Sequence, residues 1–125
     1  MKNIIVKKSK INGNGVFASN PIKNGETIEV CPLILLPRKE RKLIEKTSIY
    51  DYYFGWGKDK KQPAIALGYG SLYNHSFKPN AVYLKDSKKE IMVFKALTNI
   101  KKGEEILVNY NADPLNQTPL WFKAK

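Results

Sequence analysis

The sequence has one cysteine and one histidine among its 125 residues. A single cysteine excludes a disulfide within the chain, and one Cys with one His cannot supply the four ligands of a structural zinc site. Cys31 lies in the apolar stretch VCPLILLP, where a thiol most often packs as a small hydrophobic side chain. We therefore expect a buried Cys31 and no metal centre.

The sequence also lacks a long hydrophobic run. Its longest, at 30–37, is interrupted by Pro32 and ends at Pro37, well short of the ~20 residues that span a bilayer. The opening residues MKNIIVKKSKI alternate apolar and basic side chains and lack the apolar stretch of a secretory signal. We expect a protein of the cytoplasm or nucleus that is neither secreted nor bound to a membrane.

Arginine is scarce although the chain is strongly basic. Arg38 and Arg41 are the only arginines among 22 basic residues, and the net charge is +11. Arginine is the side chain best suited to read bases and to bind phosphate through two hydrogen bonds, and the lysines here are scattered. This composition predicts weak, non-specific attraction to nucleic acid rather than sequence-specific binding.

Short β-type runs alternate with turn residues along the whole chain. This pattern predicts one mostly-β domain over 1–125. Hairpins are predicted for 3–20, around the turn KINGNG, and for 81–97, around SKK.

Two prolines shape the middle of the chain. One short helix is expected over 37–48, with Pro37 at its first position. Pro32, within the β-type run 26–37, predicts an edge strand or a bulge, because proline donates no ladder hydrogen bond.

Three short motifs carry chemically capable residues, and each alone has an ordinary structural explanation. GNG at 13–15 is typical of a tight turn, although glycines also let a backbone approach a ligand closely. YNHS at 73–76 is typical of a polar turn. Tyr110, which ends GEEILVNY, is typical of a strand residue packed on the core. A dinucleotide-binding fingerprint is excluded, because no third glycine opens a helix after GNG.

In order and spacing, the three motifs resemble the SET-domain protein lysine methyltransferases. GNGVFA, NHSFKPN and GEEILVNY follow one another as in that family, and ALGYGSLYNHSFKPNA is similar to its compact viral and prokaryotic members. The resemblance implies a β-clip fold of small curved sheets with a pseudoknot at the active site. It also implies methyl transfer from S-adenosylmethionine to a lysine ε-amine, with S-adenosylhomocysteine as product.

The resemblance assigns roles to the residues that match the family motifs. Tyr110 matches the catalytic tyrosine. The residues expected to bind the cofactor are Gly13, Asn14, Gly15, Asn74, His75, Tyr110 and Trp121. The aromatic residues expected to line the channel for the substrate lysine are Tyr52, Tyr50 and Tyr69. Glu105 and Asn80 are expected to fix the crossing strands rather than to contact the cofactor.

The chain departs from the larger family members at a zinc site. Phe77 stands where many of them carry a zinc-binding cysteine, and the C-terminal tail has no cysteine. The resemblance therefore implies a site without zinc. The tail 111–125, with Trp121 and Phe122, is expected to fold over the cofactor instead.

The expected substrate is an exposed lysine of a histone or a histone-like chromatin protein. A chain of charge +11 attracts a basic tail only if acidic residues gather at the channel mouth; the candidates are Asp51, Asp59, Asp113, Glu26 and Glu29. Two alternatives stay open: methylation of a non-histone protein, and a non-catalytic module that binds chromatin or nucleic acid. An exposed PLILLP segment at 32–37 would favour a homodimer.

Overall fold

The structure is a computed structural model that describes residues 3–110. Its first two strands, β1 (Ile4–Lys8) and β2 (Asn14–Ala18), form an antiparallel hairpin in which Val6 faces Val16. The turn between them ends at Gly13, and the other two residues of the GNG motif begin β2, so the predicted hairpin is confirmed.

A five-stranded antiparallel sheet forms the body of the fold. Its strands are β3 (Thr27–Leu35), β4 (Phe54–Trp56), β5 (Gln62–Ala66), β7 (Ala81–Asp86) and β8 (Ile91–Ala96), in the order β4-β5-β3-β8-β7. Burial alternates along β8, where Met92, Phe94 and Ala96 point into the core. The alternation that predicted the second hairpin is therefore confirmed.

A short parallel pair brings distant motifs together. β6 (Asn74–His75) pairs with β9 (Leu107–Val108), so that the NHS segment lies beside the end of the chain's last motif. The side chain of Asn80 extends this contact, because it donates to the Glu105 carbonyl and accepts from the Leu107 N–H. Asn80 thus has the strand-fixing contacts that were expected of it.

The helical content is small. A 3-10 turn at Arg38–Glu40 leads into α1 (Arg41–Ile44), and a second 3-10 turn covers Ser48–Asp51. Thr47 begins the second turn, since its hydroxyl accepts from the Ile49 N–H. The prediction of one short helix is confirmed, although its α-helical part is a single turn. None of the described helices has the length and apolar character needed to span a bilayer.

Pro32 does not lie on an edge strand. β3 is the central strand of the sheet, and its bulge falls between Thr27 and Glu29 instead. Pro32 faces Ile91 at the last position paired with β8, and β3 pairs with β5 from Leu33 onward. The strand tolerates proline there because one ladder ends where the other begins.

The core lies beneath the five-stranded sheet and reaches the hairpin and the β6–β9 pair. Val16, Tyr73, Phe94, Ile106 and Val108 are fully buried in it. Cys31 is buried as well, which confirms its prediction as a small core side chain. The mostly-β architecture predicted from the sequence is confirmed.

Candidate functional site

The three sequence motifs meet at one pocket. It lies where the end of the β1–β2 turn, the segment 71–74 and Tyr110, two residues after β9, approach each other. The pocket is lined by Asn12, Gly13, Asn14, Tyr52, Ser71, Leu72, Asn74 and Tyr110. Four residues of the cofactor prediction and one of the channel prediction are among them.

The two glycines of GNG are needed for different reasons. Gly13 has a φ of +47°, a left-handed conformation that side chains other than glycine rarely adopt. Gly15 lies in β2, where a Cβ atom would collide with Oε2 of Glu105 and lie 3.0 Å from Nδ2 of Asn74. The motif therefore ends the turn and begins β2, with no room for a side chain at Gly15.

Asn74 joins the NHS segment to the hairpin. It is 3% exposed, and its Nδ2 donates to Oε2 of Glu105 at 2.7 Å and, at longer range, to the carbonyls of Asn12 and Asn14. The other Glu105 oxygen accepts from the Ser9 hydroxyl at 2.7 Å. Glu105 thus connects the hairpin to Asn74, which is the structural role expected of it.

The hydroxyl, the backbone N–H and the carbonyl of Tyr110 each form a hydrogen bond. Its hydroxyl donates to the carbonyl of Tyr73 at 2.6 Å, and its backbone N–H donates to Nδ1 of His75 at 3.0 Å. Its carbonyl accepts from the hydroxyl of Tyr83 at 2.8 Å. These bonds fix both the backbone and the phenol of the residue predicted to be catalytic.

His75 is a neutral side chain with one unused donor. Because Nδ1 accepts a hydrogen bond, the ring proton lies on Nε2, which is buried and has no hydrogen-bond partner among the described residues. Burial lowers the pKa of His75, which favours the neutral ring. Phe77 packs edge-on against the ring at 4.4 Å and Tyr110 at 5.1 Å, between ring centres.

The three channel candidates occupy different places. Tyr52 lines the pocket, whereas Tyr50 and Tyr69 are not among the lining residues. The ring of Tyr50 packs near that of Tyr53, with centroids 6.3 Å apart. Tyr69 packs against the core, and its backbone N–H donates to Glu29. Trp121 and the tail 111–125 lie outside the described residues.

Sequence reasoning missed several residues of the site. Ser71 and Leu72 line the pocket and immediately precede YNHS, so proximity to that motif could have suggested them. Tyr83 reaches Tyr110 from the middle of a strand, where nothing local distinguishes it from a core tyrosine. Among the described residues, no group of three His, Cys, Asp or Glu side chains is arranged to hold a metal ion.

Comparison with known proteins gives concordant matches. Residues 13–111 match the SET domain family model. A Schizosaccharomyces pombe histone-lysine N-methyltransferase, H3 lysine-37 specific, is 29% identical over 119 residues, which are 94% of this chain and 76% of that enzyme. The crystal structure of a candidate histone methyltransferase from Plasmodium falciparum has 35% identity and a TM-score of 0.65, covering 88% of this chain and 94% of that one.

A more distant solved structure shares the fold. The Chaetomium thermophilum Polycomb Repressive Complex 2, in an autoinhibited conformation bound to S-adenosylmethionine, matches with a TM-score of 0.74 at 23% identity. The match covers 87% of this chain and 15% of that one. The family match over most of the sequence, together with the meeting of its three motifs at one pocket, shows that this chain belongs to the SET-domain family.

Proposed function

We propose that this protein transfers a methyl group from S-adenosylmethionine to a lysine ε-amine of a histone or a histone-like chromatin protein. The observation that carries the proposal is the hydrogen-bonded Tyr110 hydroxyl at a pocket that Asn74, Gly13 and Asn14 also line. We assign Tyr110 as the catalytic residue. The residues that we assign to the cofactor are Tyr110 itself, Gly13, Asn14, Gly15, Asn74 and His75. Trp121 is proposed to complete the cofactor site from the tail.

The residues at the pocket fit the cofactor. Gly13 lines the pocket, and a Cβ atom there would meet open space, so its backbone can approach a ligand closely. The missing side chain of Gly15 instead leaves room for Glu105 and Asn74. The amide nitrogen of Asn74 already donates within the protein, so its side-chain oxygen is the atom we assign to a ligand's amino group. His75 is not among the pocket-lining residues, and we assign it to the adenine through its backbone.

The acceptor lysine must lose its proton before it can attack. At pH 7 this costs roughly 4.6 kcal/mol for a free lysine, at ~1.36 kcal/mol per pKa unit. Bound S-adenosylmethionine supplies the methyl group on a sulfonium, whose positive charge disfavours the ammonium form beside it. Tyr52 and Tyr110 are proposed to form the wall that excludes water and lowers the pKa of the lysine further.

Tyr110 is proposed to align the reaction. Its hydroxyl proton is committed to the Tyr73 carbonyl, which leaves the phenol oxygen as an acceptor for an amine N–H or a polarised methyl C–H. Fixed alignment of two reactants can supply several kcal/mol of the barrier reduction. We propose that the ammonium proton passes to solvent before the amine attacks, so that no charged base and no metal take part.

A basic histone tail would need acidic residues at the mouth of the lysine channel. Of the acidic residues considered for the channel mouth, Glu29 is buried in the core and Asp59 is bound by Arg38. These two carboxylates therefore do not form an acidic rim for a basic histone tail. A less basic, non-histone target stays open for this reason.

The experiment is incubation of the purified protein with labelled S-adenosylmethionine and separate histones, nucleosomes and source-cell lysate. We expect label on a histone lysine, located by mass spectrometry of peptides. Label on lysines of other proteins alone would support a non-histone methyltransferase. No label on any protein lysine would contradict the proposal, and calorimetry without cofactor binding would favour a non-catalytic binding module.

The net charge of +11 supports a second, weaker interaction. We propose non-specific attraction to nucleic acid, in keeping with a cytoplasmic or nuclear location near chromatin. The affinity for a DNA duplex should fall steeply with added salt and should not depend on base sequence. Salt-independent binding would contradict an electrostatic origin.

We also propose a homodimer through the outer face of the five-stranded sheet. Val30, Val93 and Leu84 lie in one cross-strand row, and Val30 and Leu84 are 51% and 48% exposed. Within PLILLP, Ile34 is exposed on the face of Val30, whereas Leu33 and Leu35 pack against the core. An exposed apolar face of this kind is typical of an interface.

Light scattering tests the dimer. We expect the mass of two chains for the wild type, and of one chain for Leu84→Ser. Ile5→Ser, at an exposed apolar residue of the hairpin, is the matched control and should stay dimeric. A wild-type mass of one chain would contradict the proposal.

A further inference from the structure

The side chain of Tyr73 lies in the core beside a buried carboxylate. Its hydroxyl donates to Oε1 of Glu29 at 2.8 Å, and the backbone N–H of Tyr69 donates to Oε2 at 3.0 Å. Tyr73 is 2% exposed and Glu29 is 3% exposed. A buried carboxylate has lost its hydration, so donors to both oxygens offset part of that cost. Glu29 therefore fixes the position of the Tyr73 phenol.

The phenol of Tyr73 stays protonated in this setting. Burial first, and then the neighbouring Glu29 carboxylate, raise the pKa of Tyr73 above its ordinary value. The hydroxyl consequently remains a hydrogen-bond donor throughout the neutral pH range. The hydrogen bond to Glu29 is therefore not lost through ionisation of the Tyr73 phenol.

The backbone of the same residue orients Tyr110. The Tyr73 ring stacks on Phe94 with centroids 4.3 Å apart and planes inclined by 16°, and its carbonyl accepts from the Tyr110 hydroxyl at 2.6 Å. Tyr73 thus joins the core, through its ring, to the Tyr110 hydroxyl at the pocket, through its carbonyl. Because the core is close-packed, the carbonyl cannot shift unless the stacking or the Glu29 contact changes.

We propose that Glu29 and Tyr73 form a positioning pair that fixes the Tyr73 carbonyl, and through it the Tyr110 hydroxyl, for methyl transfer. The inference rests on the proposed function, in which Tyr110 is the catalytic residue. Neither member of the pair is among the described pocket-lining residues, so both act through Tyr110 rather than on the substrate.

Such a pair is needed because the reaction depends on where the Tyr110 hydroxyl points its proton. A free phenol rotates its O–H and can point the proton at an incoming amine, which blocks the approach of the amine's own N–H. With the proton held by the Tyr73 carbonyl, the acceptor side of the oxygen faces the reaction. Catalytic geometry of this kind is held to within ~0.5 Å by supporting residues.

The test compares the kinetics of wild type, Tyr73→Phe, Tyr110→Phe and the double variant. Tyr73→Phe keeps the ring that stacks on Phe94 and removes only the hydroxyl. We expect kcat to fall about 5- to 50-fold, with cofactor affinity and KM for the protein substrate within about 2-fold of wild type. In the Tyr110→Phe background, the same substitution should cause no further loss, because both changes act on one hydroxyl.

The matched control is Tyr53→Phe. Tyr53 also donates its hydroxyl to a carboxylate, at 3.3 Å from Oε2 of Glu45, and is not among the pocket-lining residues. Its substitution should leave kcat within about 2-fold of wild type. Glu29→Gln, which keeps the side-chain volume and one acceptor, replaces Tyr73→Phe in the comparison if thermal melting shows that Tyr73→Phe does not fold.

Two results would overturn the positioning pair. One is an unchanged kcat in the folded Tyr73→Phe or Glu29→Gln protein. The other is an equal fold-loss in the wild-type and Tyr110→Phe backgrounds, since a purely structural role would lower both alike. An inactive wild type is a different outcome, which contradicts the proposed function itself and the pair with it.

Discussion

The hydroxyl of Tyr110 and the carbonyl of Tyr73 are joined by a hydrogen bond of 2.6 Å. Tyr73 directly precedes Asn74, so this bond connects the proposed catalytic residue to the segment that carries two proposed cofactor residues. His75 strengthens the connection by accepting from the Tyr110 N–H. Tyr110, Asn74 and His75 therefore belong to one hydrogen-bonded unit around the β6–β9 pair.

Substitution of Gly15 should disturb this unit from the hairpin side. In Gly15→Ala, the new Cβ collides with Oε2 of Glu105, which is itself tied to Ser9 and Asn74. We expect the free energy of unfolding to fall by about 1–3 kcal/mol. Displacement of Asn74 should also weaken S-adenosylmethionine binding by about 10-fold or more, measured by calorimetry.

A double-mutant cycle with Glu105→Ala checks the cause. Removing the Glu105 side chain removes the collision, so the two substitutions should be strongly non-additive. Additive losses, or wild-type cofactor affinity in Gly15→Ala, would show that the turn is not tightly constrained by Glu105.

Acidification should lower stability through His75. Its folded-state pKa is lowered by burial, so the unfolded chain takes up a proton near the ordinary value of 6.5 while the folded chain does not. The stabilising effect is complete above this value and is lost as the pH falls from 6.5 to the lowered pKa. Asp59, whose pKa Arg38 lowers to about 2, titrates below this window.

The measurement is the unfolding free energy of wild type and His75→Gln between neutral and mildly acidic pH. The advantage of wild type over the variant should shrink below pH 6.5 and stay constant above it. A difference that does not change with pH would mean that His75 titrates alike in both states.

Two neighbouring tyrosines should differ in their effect on catalysis. Tyr52 lines the pocket and Tyr50 does not. A ring face beside a methylated ammonium is worth ~0.5–2 kcal/mol, so Tyr52→Ala should lower kcat/KM by roughly 2- to 30-fold. Tyr50→Ala should lower kcat/KM less than Tyr52→Ala does. Steady-state kinetics of the two variants measure this difference. A larger effect at Tyr50 would place the lysine channel elsewhere.

The sequence was sufficient for the parts of the fold that are built from local patterns. The hairpins β1–β2 and β7–β8 follow from alternating apolar residues around turns, which is information held within each segment. The pairing of β6 with β9 involves two residues on each side, too few for any periodicity to appear. Only the family resemblance placed those segments together.

The site residues also divide into those that a local motif marks and those that only the fold brings in. Gly13, Asn74 and Tyr110 belong to recognisable motifs, and the structure brings them to one pocket. Tyr50 and Tyr69, expected to line the lysine channel, are not among the residues that line this pocket. Their place in the channel stays a prediction. The bonds from Tyr83 to Tyr110 and from Tyr73 to Glu29 join residues far apart in sequence, and no local pattern marks such partners.

The most direct measurement is the rate of methyl transfer to a histone lysine by wild type and Tyr110→Phe, with cofactor affinity measured on both. Loss of the hydroxyl removes a group proposed to act at the transition state, so kcat should fall by about 100-fold or more. The dissociation constant of S-adenosylmethionine should change by less than about 3-fold, because the ring and backbone at position 110, Asn74 and the GNG segment remain intact. Equal rates in the two proteins, or no lysine methylation by the wild type, would contradict the account.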